Sequence, residues 1–81
     1  MPSKSVTVGS SVGLHARPAA IISEAAEGLG STVTINGVDA SSSLMIMTLG
    51  AKCGDSVEVA GDDQADVDTV AALVERDLDA D

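Results

Sequence analysis

The sequence predicts an α+β fold, a four-stranded antiparallel sheet with helices packed on one face. Three observations lead there. The apolar residues alternate with period two in some stretches and recur at helical spacing in others. An Asn36-Gly37 pair between two β-branched runs is a strong hairpin signal. The elements marked in this way follow the order β, α, β, β, short α, β, α, which places two longer helices among four short strands.

Each element has its own warrant. "SVTV" at 5–8 alternates and puts Val6 and Val8 on one face of a half-buried strand. From 16 to 29, Ala16, Ala19, Ala20, Ile22, Ala26 and Leu29 recur at helical spacing, and Gly28 and Gly30 supply a stop. "STVTINGVDAS" reads as two short strands around the Asn36-Gly37 turn. "SSLMIMTLG" admits two readings, a short helix running from a serine cap to Gly50 or a buried strand. "DSVEVAG" at 55–61 alternates again through Val57 and Val59. Val67, Val70, Ala71, Val74 and Leu78 fall on one face of a last helix, capped by Asp62 or Asp63, with acids on its outer face. The hairpin fixes one antiparallel pair; the other pairings are inferred from the fold class. No repeat, low-complexity block or linker interrupts the chain.

Composition bounds the function. At 81 residues a single domain spanning 1–81 is expected. A chain of this size buries only about 60–65% of its extended surface, so its stability is modest. Phe, Tyr and Trp are absent, and the core must come from Val, Ile, Leu, Ala and Met. The net charge is −9, with only Lys4, Arg17, Lys52 and Arg76 as bases. Such a chain repels a phosphate backbone and offers no aromatic stacking platform, which argues against nucleic-acid binding. Cys53 is alone, which excludes an intramolecular disulfide and a cysteine-rich zinc site. "MPSKSVTVGS" carries no long apolar run, so neither a signal peptide nor membrane insertion is expected and the cytoplasm is the default location.

The chemistry concentrates in "GLHARPAA" at 13–20, which holds the only histidine. His15 falls at the helix N-cap or just before it, and Ala16, Arg17 and Pro18 form the first turn. First-turn amides lack intrahelical acceptors and the helix dipole adds positive potential, a geometry that suits anions. Pro18 has no N–H to lose and pre-sets the first-turn φ. Arg17 adds a forked cation suited to a phosphoryl group, and Gly13 permits a tight turn. A neutral imidazole there can attack phosphorus and form a phosphoramidate that the amides and Arg17 stabilise. The plainer reading is a surface or helix-capping histidine. Metal binding lacks a second His or Cys at ligand spacing, hydrolase chemistry lacks a nucleophile elbow, and a kinase lacks a P-loop.

"VGLHARPAA", together with "SSSLMIMTLGAKCGDSVEV" in the right place downstream, resembles the HPr family, the histidine-containing phosphocarriers of the bacterial phosphoenolpyruvate:sugar phosphotransferase system. The wording "GSSVGLHARPA" and "DASSSLMIM" is most similar to actinobacterial members. The resemblance implies an open-faced βαββαβα sandwich in which the ambiguous segment is a short helix. It implies that His15 carries the phosphoryl group on Nδ1, accepted from Enzyme I charged by phosphoenolpyruvate and passed to the EIIA domains of sugar permeases. Arg17 would contact the phosphate, and Ala16 and Arg17 would supply backbone N–H groups. Leu44, Met45 and Met47 would dock both partners, although residue pattern alone reads them equally as core. The carrier would be a co-substrate of Enzyme I and EIIA rather than an enzyme, with no cofactor or metal, and a monomer by default.

Several positions depart from the family pattern. Ser42 falls where some members are phosphorylated by a dedicated kinase, but Ser41 replaces the usual preceding lysine and Ser43 competes, so a capping serine is the preferred reading. Val12 stands where many relatives have a short polar residue near the histidine. Glu24, Glu27 and Met45 stand where some carry lysines, which weakens electrostatic steering and leaves more of the recognition to apolar docking and Arg17. The alternatives are a regulatory paralogue within the family and a small non-catalytic interaction module in which His15 merely caps the helix.

Overall fold

The structure, a computed structural model, describes residues 2–11 and 13–76. The elements are β1 (Ser3–Thr7), α1 (Ala16–Glu27), β2 (Val33–Ile35), β3 (Val38–Asp39), α2 (Ser43–Thr48), β4 (Ser56–Gly61) and α3 (Gln64–Glu75). The strands form one sheet in the order β1-β4-β2-β3, antiparallel throughout. Val6 pairs with Val57 and Ile35 with Val59. β4 buries Val57, Val59 and Gly61 and exposes Ser56 and Glu58, so the strand has one covered face and one open face.

The hairpin forms where the Asn-Gly pair places it. Asn36 has φ 49° and Gly37 φ 86°, the pair of left-handed residues that a type I′ turn requires. Asn36 also reaches the neighbouring strand: its N–H donates to the Glu58 carbonyl at 2.8 Å, and its Oδ1 accepts from the Glu58 N–H at 2.8 Å. The turn is thereby tied to β4 as well as to its own strands.

α3 is capped by Asp63, whose carboxylate accepts from the N–H groups of Ala65 at 2.8 Å and Asp66 at 3.4 Å. Its predicted face holds: Val67, Val70, Ala71 and Val74 are buried, while Leu78 lies outside the described residues. α3 packs across β1, β4 and β2, and α1 lies against α3 and α2. α1 ends at Glu27, two residues short of the last apolar position, with Gly28 in right-handed conformation at φ −82°. The Gly28 and Leu29 amides close onto Ala25 and Ala26, and Leu29 still packs against the core from this final turn.

The two readings of "SSLMIMTLG" resolve to a helix. Ser42 is its N-cap, with Oγ accepting from the Met45 N–H at 3.3 Å. Ile46 is the one residue of α2 that enters the core. That core is wholly aliphatic, and Ile22, Ile35, Ile46, Val59, Val67, Val70 and Val74 are among its fully enclosed side chains. Among the described residues, no helix is long and apolar enough to cross a membrane.

Candidate functional site

The segment between β1 and α1 is fastened at both ends. The Gly9 N–H donates to the Val74 carbonyl at 3.0 Å and Ser10 Oγ to the Arg76 carbonyl at 3.3 Å, against the end of α3. A side chain at Gly9 would run into the Glu75 carbonyl, so the chain approaches α3 this closely only as glycine. At the other end, the Leu14 N–H donates to the Ala51 carbonyl at 3.0 Å. Gly13 has φ +81°, and a Cβ there would lie 2.5 Å from the Ala51 oxygen and 2.9 Å from Lys52 Cα. Both backbone conformation and space therefore require glycine at this crossing.

This bracing turns Leu14 inward, where it is buried, and leaves His15 outside. His15 is the N-cap of α1 with φ −81° and ψ −170°, and its carbonyl accepts from the Ala19 N–H at 2.8 Å. Its imidazole makes no capping hydrogen bond and is exposed. The cap is thus made by the backbone of His15, and the ring plays no part in it. Pro18 is the third residue of α1 and has no N–H, so the first-turn N–H groups without an intrahelical acceptor are those of Ala16 and Arg17. Both residues are exposed, and the Arg17 guanidinium belongs to the same turn as the ring.

A cleft of about 220 Å³ opens beside the ring, lined by Leu14, His15, Met47, Gly50, Ala51 and Lys52. It connects the histidine to α2. Leu44, Met45 and Met47 are the large apolar residues exposed among those described, at 68%, 43% and 37%. A core role for these three is thereby excluded; Ile46, between them, takes the inward position. Glu24 and Glu27 are exposed on α1. The Ser42 hydroxyl is engaged at its cap, while Val12 lies outside the described residues.

Asp39, just ahead of α2, accepts from both the Ser41 hydroxyl at 2.7 Å and the Ser41 N–H at 2.9 Å. These bonds hold its carboxyl below the ordinary value of 3.8, with the hydroxyl contributing most. A larger cavity of about 370 Å³ lies at the far end of α1, between Ala26, Leu29, Ser31 and Asp39, and is remote from the imidazole. Among the described residues, no group of three His, Cys, Asp or Glu side chains is placed to hold a metal ion.

Lys52 is the member of this site that linear reasoning missed. Nothing in "LGAKCG" marks it; the Leu14–Ala51 backbone bond and the close approach of Gly13 to Lys52 bring it beside His15.

A small open-faced sandwich with one exposed imidazole at the mouth of a helix is the architecture of a phosphoryl carrier. The family model for the PTS HPr component phosphorylation site matches residues 2–76, and the chain belongs to this family, the HPr phosphocarriers of the phosphotransferase system. It is 38% identical over 87 residues to the phosphocarrier protein HPr of Streptomyces coelicolor, spanning 98% of this chain and 94% of that protein. Its structure is similar to the crystal structure of HPr-C-His from Thermoanaerobacter tengcongensis, with TM-score 0.87, 25% identity, and 100% and 99% of the two chains covered. HPr from Bacillus anthracis matches with TM-score 0.83 and 28% identity, over 90% of this chain and 95% of the other. The open-faced βαββαβα arrangement implied by the sequence is the one these relatives share.

Proposed function

We propose that His15 accepts a phosphoryl group on Nδ1 from Enzyme I charged by phosphoenolpyruvate and passes it to EIIA domains of sugar permeases. The observation that carries this reading is the imidazole itself, exposed at the mouth of α1 and free of the capping bond that a structural role would use. In the neutral ring the Nδ1 lone pair forms the bond to phosphorus as the bond to the donor breaks, and the donor group leaves with that electron pair. The Ala16 and Arg17 amides and the Arg17 guanidinium stabilise the charge on the phosphoryl oxygens. Return of the group to an acceptor reverses these roles, so the protein is consumed and regenerated as a co-substrate.

Leu44, Met45 and Met47 form the docking surface for both partners. Their exposure beside the cleft supports this, and flexible methionines suit one surface that must meet several partners. Ser42 acts as the cap of α2 in this reading.

The test is intact-mass spectrometry after mixing the protein with phosphoenolpyruvate, magnesium and Enzyme I from the same organism. One added phosphoryl group, labile in acid, stable in base and absent from His15→Ala, is the expected result. An unmodified protein beside phosphorylated Enzyme I would overturn the reading. Subsequent transfer to EIIA distinguishes sugar uptake from a regulatory chain.

A further inference from the structure

We infer that Lys52 supplies a second cation to the phosphoryl group while His15 carries it. The inference rests on the reading of His15 as acceptor. The chain has four basic residues against thirteen acids, and two of the four meet at this site. Arg17 stands in the same helical turn as His15, and Lys52 lines the same cleft from the segment after α2.

The backbone of Lys52 is fixed there from two sides. Its Cα is so close to Gly13 that a Cβ on the glycine would stand 2.9 Å away. Its N–H donates to Asp55 Oδ2 at 2.9 Å, while the Asp55 N–H returns to the Lys52 carbonyl at 2.9 Å. One oxygen of the neighbouring carboxylate thus accepts from the Lys52 backbone amide. Among the described residues the Lys52 ammonium has neither an ion pair nor a hydrogen bond. An uncommitted cation in so acidic a chain is available to the charge that arrives.

Phosphorylation brings a charge of about −1.5 to −2 to the imidazole. A compact ammonium on a flexible stem can follow those oxygens as a point charge, complementing the forked and more rigid Arg17. Because the contact exists only in the phosphorylated state, Lys52 shifts the equilibrium of transfer toward phospho-His15.

Competition for a limited phosphoryl supply measures this shift. Phosphorylated wild type is mixed with an equal amount of Lys52→Met protein and a catalytic amount of Enzyme I. The label then equilibrates between the two, and intact mass reads its distribution. At about 20 mM salt the wild type is expected to hold about threefold more phosphoryl groups, a ratio that falls toward one near 0.5 M salt. Lys52→Arg should compete equally with wild type, as should Lys4→Met, which removes the same unit of charge from β1. Equal partition with Lys52→Met at low salt would overturn the inference, and so would a Lys52→Arg protein that behaves like Lys52→Met. Failure of every protein to accept phosphate from charged Enzyme I would instead overturn the carrier reading together with this extension.

Discussion

At the scale of single residues, position and side chain play separate roles in His15. The backbone starts α1 while the ring makes no capping hydrogen bond, and in the proposed function the ring is the phosphoryl acceptor. His15→Ala should therefore abolish phosphoryl acceptance while changing unfolding free energy by less than about 0.5 kcal/mol. Loss of a capping side chain costs about 1 kcal/mol, so a drop of that size in a denaturant titration would restore the capping role. Arg17→Ala removes an exposed side chain and should slow phosphorylation about tenfold or more with the melting temperature nearly unchanged. Stopped-flow or quenched-flow transfer from Enzyme I checks it, and a wild-type rate would remove Arg17 from the phosphate site. The motif around these residues was legible because a histidine, an arginine and a proline at a helix start form a local pattern. Lys52 was not, because it joins the site through a contact between residues 14 and 51 that no local spacing encodes.

At the scale of elements, α2 shows where sequence patterning runs out. Six residues span less than two turns, and "SLMIMT" is apolar enough to suit a buried strand or a helix. Tertiary context decides. The Ser42 cap and the burial of Ile46 set the helix, and Leu44, Met45 and Met47 then emerge on its outer side. Met47→Asp should consequently leave circular dichroism unaltered while weakening binding to Enzyme I about tenfold, through a charge desolvated against an apolar partner. Undiminished binding by calorimetry would exclude Met47 from the interface. The turn entering α2 carries a pH dependence of its own. Asp39 is held below 3.8 by Ser41, so it stabilises the fold above that pH, and the contribution is lost as pH falls through the lower folded-state value. The stability gap between wild type and Asp39→Asn should be constant from about pH 7 to pH 5 and narrow below 3.8. A gap independent of pH would mean that the Ser41 bonds hold the protonated acid equally well.

At the scale of the whole molecule, the sequence specified more of the parts than of their arrangement. Period-two alternation and the Asn36-Gly37 turn located the strands, but only the hairpin stated its own pairing. β4 runs between β1 and β2 and packs against α3, an arrangement invisible to local patterning. Charge is the other global property. Four bases cannot balance thirteen carboxylates, and many of the acids cluster around β4 and α3, including Glu58, Asp62, Asp63, Asp66, Asp68 and Glu75. Their mutual repulsion is greatest in the compact state and opposes an aliphatic core of modest size. Salt screens this repulsion, with a Debye length of about 30 Å at 0.01 M and about 8 Å at 0.15 M. The melting temperature at pH 7 should therefore rise by several degrees between about 0.01 and 0.5 M sodium chloride, most steeply at the low end. The same salt should weaken the Lys52 contact to phospho-His15, because there it screens an attraction. Calorimetry and the phosphoryl partition would then move in opposite directions along one titration. A melting temperature that fell with salt would show that attractive pairs outweigh the repulsion among the acids, and that the net charge of −9 misrepresents the balance of forces in the folded chain.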